Sequence, residues 1–77
     1  MPNLTSSAVA AKALRLAAAF LYSEESNETE VLIHDILCYL SWYLEADTPP
    51  AQRNHLGYAK ELIGELYDSL SSELGAE

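Results

Sequence analysis

Two short polar breaks divide the chain into three segments, and each segment carries apolar residues at helical spacing. The first break is Ser23-Glu24-Glu25-Ser26 and the second is Asp47-Thr48-Pro49-Pro50. Apolar residues three and four positions apart favour amphipathic helices. Because short loops make neighbouring helices antiparallel, the pattern predicts an all-α, up-down-up three-helix bundle. We expect one domain over residues 1–77, with helices at about 6–22, 28–46 and 49–74.

Capping residues set these boundaries. The Ser6-Ser7 pair is expected to cap the first helix. Asn27 and Glu30 have the spacing of a capping box, in which each side chain bonds the backbone of the other residue. Thr48 followed by Pro49 is typical of an N-cap and a first helical position, where the missing proline amide costs nothing.

Apolar stripes predict which face of each helix is buried. The stripes comprise Val9, Ala13, Leu16, Ala17 and Phe20 on the first helix, Ile33, Ile36, Leu37, Leu40 and Leu44 on the second, and Leu56, Ala59, Ile63, Leu66, Tyr67, Leu70 and Leu74 on the third.

The second helix carries another stripe, formed by Val31, Asp35, Cys38 and Trp42, on the side away from Ile33 and Leu37. One interpretation is additional core, because a helix that is apolar on most sides is usually buried. The alternative is a partner or dimer surface centred on Trp42, since aromatic anchors dominate interface energetics.

The third helix has small residues in register, with Gly57, Gly64 and Ser71 seven positions apart. A glycine inside a helix costs about 1 kcal/mol relative to alanine. The pattern therefore indicates close approach of another backbone, from either the first helix or a second subunit, or else tolerance on an exposed surface. Tyr58 and Gly64 form a second candidate contact. We expect a homodimer that self-associates through the second helix, the third helix or both.

The charge balance limits the partners. Twelve acidic residues against four Lys and Arg give a net charge of −8, which argues against direct binding of nucleic acid or an anionic membrane. Glu61, Glu65 and Asp68 lie along the outer face of the third helix. They form either a solvated face that maintains solubility or an acidic docking face for a basic protein. No apolar run is long enough to span a bilayer, and a cytoplasmic location is expected.

No catalytic or metal-binding pattern is found. Glu30, His34 and Cys38 recur every four residues, but the outer two lie about 12 Å apart along a helix, too far for one ion. His34 and Asp35 are close to Cys38, yet its surroundings are acidic or apolar, unlike those of an activated thiolate. We therefore predict no catalytic residue, no metal and no cofactor.

In size, acidity and helical content the chain is similar to small bacterial and phage-encoded proteins that regulate by binding another protein. The leading hypothesis is a non-catalytic protein that acts by binding a partner protein, as a regulator or inhibitor. The alternative is an acidic nucleic-acid mimic that inhibits a DNA- or RNA-binding protein. A second alternative is a small-ligand carrier or sensor that uses Tyr39, Tyr43 and Tyr67, although such pockets need about 300 Å³ or more.

Overall fold

The protein consists of three helices, α1 (Asn3–Leu21), α2 (Glu28–Glu45) and α3 (Pro49–Leu74). The computed structural model describes residues 3–75, and side chains are described for residues 6–75. α2 packs against both α1 and α3, whereas α1 and α3 make no close contact over the described range. The predicted all-α three-helix bundle is confirmed, and α2 is its central helix.

α1 begins earlier than predicted. It includes Asn3, so the Ser6-Ser7 pair lies inside the helix and does not cap it. Serine loses only a fraction of a kcal/mol in a helix interior, and the alanines that follow favour continuation of the helix. At the other end, the Ser26 hydroxyl donates to the carbonyl of Leu21 and accepts from the amide of Ser23 at 2.8 Å. Serine side chains thus complete backbone hydrogen bonds where α1 stops.

The predicted caps of α2 and α3 are confirmed. Asn27 Oδ1 accepts from the Glu30 amide at 2.8 Å, and Glu30 Oε1 accepts from the Asn27 amide at 3.0 Å. Thr48 Oγ1 accepts from the Ala51 amide at 3.3 Å, with Pro49 in the first helical position. These bonds satisfy amides that a helix start leaves free, and they fix where α2 and α3 begin.

Small side chains fill the contacts between the helices. Ala11, Ser41 and Ala59 are completely buried, Ala18 is 2 % exposed, and Ile36 is 7 % exposed. The Ser41 hydroxyl donates to the carbonyl of Cys38 at 2.7 Å within α2, so its burial leaves no unpaired polar atom. Small residues allow helix axes to approach to the short end of the usual range of about 8–10 Å.

The predicted core face of α1 is wrong. Val9 is 64 % exposed, Leu16 is 56 % exposed and Phe20 is 91 % exposed, whereas Ala11 and Ala18 face α2. Both faces have helical spacing, and the face with alanines packs inward because it lets α2 come closer. Two further members of the predicted stripe are also exposed, Ala13 and Ala17.

The predicted core face of α3 is correct only in part. Ala59 is buried and Leu66 is half-buried, but Ile63 and Tyr67 are 46 % and 71 % exposed. Leu56 and Leu74 are exposed as well, and Leu70 is half-buried. The inner face of α3 is therefore rotated away from the stripe of large side chains.

The chain exposes more surface than a compact protein of its size. Its accessible surface is 5761 Å², whereas a folded chain of this mass exposes about 4,700 Å². The radius of gyration is 14.1 Å, against about 11.5 Å for a compact domain of this length. Large apolar side chains account for part of the difference. In the part of the chain that the structure describes, no helix has an apolar stretch long enough to cross a bilayer.

Candidate functional site

Four aromatic side chains meet where α2 packs against α3. Tyr39 and Trp42 come from α2, and His55 and Tyr58 come from α3, each pair separated by three residues so that both rings lie on one helix face. The Tyr39 ring stacks on Tyr58 with centroids 5.3 Å apart and meets Trp42 edge to face, also at 5.3 Å. The Trp42 and His55 centroids are 6.0 Å apart. We call these four residues the aromatic surface.

The aromatic surface has two exposed rings that pack on two half-buried rings. Trp42 is 42 % exposed and Tyr58 is 55 % exposed, while Tyr39 and His55 are half-buried beneath them. His55 Nδ1 is shielded from solvent and has no hydrogen-bond partner among the described residues. A buried polar atom without a partner carries a desolvation cost of about 1–3 kcal/mol. The two outer rings are thus held in place by packing and remain accessible.

The structure joins residues that the sequence assigned to separate contacts. Trp42 and Tyr58 belong to one surface because Tyr39 packs against both rings. Val31 and Cys38, predicted to extend the Trp42 contact, are half-buried rather than exposed. Sequence reasoning did not place Tyr39 in this surface. The available signal was its three-residue separation from Trp42, repeated by His55 and Tyr58.

The glycines of α3 face open space. A side-chain carbon built at Gly57 or Gly64 would meet no atom within 4 Å. The predicted close approach of the first helix to these residues is wrong, because α1 packs on α2 and does not reach α3. Contact with a second subunit therefore remains a prediction for Gly64.

The predicted acidic face is exposed along α3. Glu61, Glu65 and Asp68 all face solvent, and none of them forms an ion pair with another described residue. Glu61 also lines a shallow recess of about 220 Å³ together with Tyr58 and Arg53. We call the three carboxylates the acidic row, and it borders the aromatic surface at Tyr58.

Cys38, His34 and Asp35 form a hydrogen-bonded series on α2. Cys38 Sγ lies 3.7 Å from His34 Nε2, and His34 Nδ1 lies 2.8 Å from Asp35 Oδ1. A neutral His34 that donates to Asp35 leaves Nε2 as an acceptor for the thiol. Burial raises the pKa of the Cys38 thiol, Asp35 raises this pKa further, and Arg15 opposes both effects. The geometry thus resembles a nucleophile with its base, but the electrostatics favour the thiol over the reactive thiolate.

Arg15 links α1 to α2 on this side of the molecule. Its guanidinium donates to Glu45 Oε1 at 2.8 Å, and both side chains are about two-fifths exposed. Exposed ion pairs of this kind contribute about 0–1 kcal/mol. Across the described side chains, no group of three or more His, Cys, Asp or Glu residues converges on a position for a metal ion.

The tyrosines proposed for a small ligand do not share a pocket. Tyr39 lies in the aromatic surface, Tyr67 is 71 % exposed on α3, and Tyr43 lines an open recess of about 220 Å³ with Pro49 and Leu56. Pockets that enclose drug-sized ligands measure about 300–1,000 Å³. The recess at Tyr43 is below that range.

Comparison of the chain with protein-family models, with curated protein sequences and with solved structures gives no match.

Proposed function

We propose that this protein is a non-catalytic regulator that acts by binding a partner protein, and that the aromatic surface is its docking site. The observation that carries the proposal is the exposure of Trp42 and Tyr58 over rings that hold them in place. Aromatic side chains with restricted rotamers bury a large area at a low cost in conformational entropy. Residues of this type form the energetic centre of many interfaces.

The border of the aromatic surface suggests the charge of the partner. Glu61 and Glu65 lie one and two helical turns beyond Tyr58, and both are exposed. Charges at an interface rim raise the association rate and select for an opposite charge. We therefore propose a partner with an apolar pocket for Trp42 and basic residues around it.

The acidic row supports a second candidate function, inhibition of a nucleic-acid-binding protein by charge mimicry. The supporting observation is that its three carboxylates are exposed and form no ion pair with the other described side chains. Under this alternative, the carboxylates replace phosphates and the aromatic surface contributes little. The two candidates differ in which residues control binding.

Affinity capture from a lysate of the native host, with four matched baits, separates them. We expect Trp42→Ala to reduce the captured partner at least tenfold, because a central aromatic anchor contributes about 2 kcal/mol or more. Tyr22→Ala, a change at a 61 % exposed tyrosine outside the aromatic surface, should leave capture unchanged. Charge reversal at Glu61 and Glu65 to Lys should weaken capture less than Trp42→Ala.

The outcome for each variant is decisive. Capture that survives Trp42→Ala but is lost on charge reversal, and that elutes early in a salt gradient, contradicts the docking proposal and favours mimicry, because salt screens exposed charges. Circular dichroism of each bait checks that helix content is retained. Trp42 is the single tryptophan of this chain, so the chain's own tryptophan fluorescence reports changes in the surroundings of this ring.

A further inference from the structure

We propose that two copies of this protein form a twofold dimer by stacking the apolar sides of their three helices. The contact lies on the opposite side of the molecule from the aromatic surface, so it stands apart from the proposed function. Three features support it: the open arrangement of the helices, the distribution of apolar and charged side chains between the two sides, and the exposed area.

The three helices form a row with two open sides. α1 and α3 both pack on α2 and make no close contact with one another over the described range. Within α2, only Ile36 and Ser41 are buried, and the other residues keep part of their surface accessible. A side chain that points toward a neighbouring helix is thus covered, whereas one that points to either side of the row is not.

One side of the row carries the aromatic surface. Tyr39 joins Trp42 of α2 to Tyr58 of α3 on this side. Arg15 of α1 lies on the same side, because its charge acts on the Cys38 thiol, one helical turn before Trp42. One residue of each helix therefore marks this side, which we call the aromatic side.

The opposite side of the row is apolar in all three helices. Two residues along a helix correspond to a rotation of about 200°, so positions two apart point in nearly opposite directions. Two positions from the three marker residues of the aromatic side stand Ala17 on α1, Leu40 on α2 and Leu56 on α3. With the neighbouring apolar residue at helical spacing on each helix, this side comprises Ala13, Ala17, Leu37, Leu40, Leu56 and Ile63. We call these six residues the apolar face.

The apolar face is uncovered in a single chain. Its two alanines are exposed, Leu56 and Ile63 are 47 % and 46 % exposed, and Leu37 and Leu40 are half-buried. All six residues belong to the stripes that the sequence predicts to be buried. Helices that are apolar on two sides are usually covered on both. Stacking of two copies buries these predicted core residues without changing the fold of either chain.

Charge favours a second copy on the apolar face. Each chain has a net charge of −8, so two copies repel one another except where carboxylates are few. α1 contains no acidic residue, and the acidic row points to the far side of α3 from Leu56. The exposed charges that border the apolar face on α3 are Arg53 and Lys60, three and four residues from Leu56. These cations disfavour a basic partner on this side, whereas the low negative charge lets an acidic copy approach.

The exposed area matches what a stable dimer buries. The chain exposes 5761 Å², on the order of 1,000 Å² more than a compact chain of its mass. A stable interface buries about 800 Å² on each partner. A twofold contact uses the same patch on both copies, so α2, in the middle of the apolar face, lies over α2 of the second copy. The two aromatic surfaces then lie on the outside of the dimer and stay accessible.

Sedimentation equilibrium over a wide concentration range tests the proposal. Wild-type protein should reach twice the 8.5 kDa mass of the chain. Ala17→Lys should weaken self-association at least tenfold, because it places a charge under the second copy, and Ile63→Lys should do the same from α3. Ala19→Lys is the matched control, since it adds the same charge to an exposed alanine on the same helix, one turn from Arg15. Circular dichroism should show unchanged helix content in all three variants, because each position is exposed in the single chain.

Disulfide trapping identifies the sides that meet. In a Cys38→Ser background, Leu40→Cys chains should crosslink to one another on oxidation, whereas chains with Asp35→Cys, on the aromatic side of α2, should not. A single-chain mass at all concentrations, an unchanged dimer in Ala17→Lys and Ile63→Lys, equal weakening by Ala19→Lys, or preferential crosslinking at position 35 would each overturn the proposal. Partner capture by the Ala17→Lys bait, which keeps its aromatic surface, tests the proposed function independently of the dimer.

Discussion

The assignment of Ala18, rather than Leu16 or Phe20, to the inner face of α1 can be tested by overpacking. Ala18 is 2 % exposed against α2, whereas the adjacent Ala19 is exposed. Leucine at position 18 adds three carbon atoms to a contact that has no room for them, and overpacking of this kind costs about 1–3 kcal/mol. For a domain of 60–100 residues, each kcal/mol lowers Tm by about 4–8 °C. We therefore expect Ala18→Leu to lower Tm by roughly 5–20 °C.

Ala19→Leu is the matched control, because it makes the same change one residue away on an exposed position. Surface substitutions usually alter stability by less than about 0.5 kcal/mol, so its Tm should stay within about 4 °C of the wild type. Thermal unfolding followed by far-ultraviolet circular dichroism, at a concentration low enough to limit association, gives both values. If Ala18→Leu melts with or above Ala19→Leu, the helix packs through its other face and the reasoning is refuted.

Two further predictions concern the α2 cap and the Cys38 thiol. Asn27→Ala should destabilise the protein by about 1 kcal/mol. In urea unfolding, the double variant Asn27→Ala/Glu30→Ala should lose less stability than the sum of the two single variants, because both changes remove the same capping box. Losses that add strictly would argue against the reciprocal bonds. Alkylation of Cys38 by iodoacetamide should be half-maximal at a higher pH than that of a free cysteine, because burial and Asp35 both raise its pKa, and Asp35→Asn should move this midpoint to lower pH. Since the folded-state pKa of Cys38 lies above its unfolded value, the protonated thiol contributes stability to the fold. This contribution is present below the unfolded pKa and is lost as pH rises through the folded pKa.

Local signals in the sequence predicted the helices well. The Asn27 and Glu30 capping box and the Thr48-Pro49 start depend on bonds within four residues, so the local sequence is enough to predict them. The start of α1 was missed because the Ser6-Ser7 pair can lie inside a helix as well as cap it.

The faces of the helices could not be predicted in the same way. On α1, a series through Ala11 and Ala18 and a series through Leu16 and Phe20 have the same spacing, so periodicity alone does not choose between them. The predicted stripe contained the larger residues Leu16 and Phe20, whereas the structure packs Ala11 and Ala18 against α2. Which face of α1 packs inward depends on how closely α2 can approach it, and this depends on both helices together.

The sequence predicted the two exposed residues of the candidate site but not the two half-buried residues that contact them. Trp42 and Tyr58 were predicted as candidate contacts from the sequence, but their proximity depends on how α2 and α3 pack. Tyr39 and His55 connect them across that contact. Only the packing of α2 against α3 brings the four residues of the aromatic surface together.

Several large apolar side chains lie outside the three-helix core and are exposed to solvent. Hydroxyl-radical footprinting of the dilute, monomeric chain tests this exposure most directly, since residues of one type can be compared and intrinsic reactivity cancels. We predict that Tyr67, which is 71 % exposed, is modified faster than the half-buried Tyr39. If Tyr67 is as protected as Tyr39 under these conditions, the large side chains of α3 belong to the core and the account is contradicted.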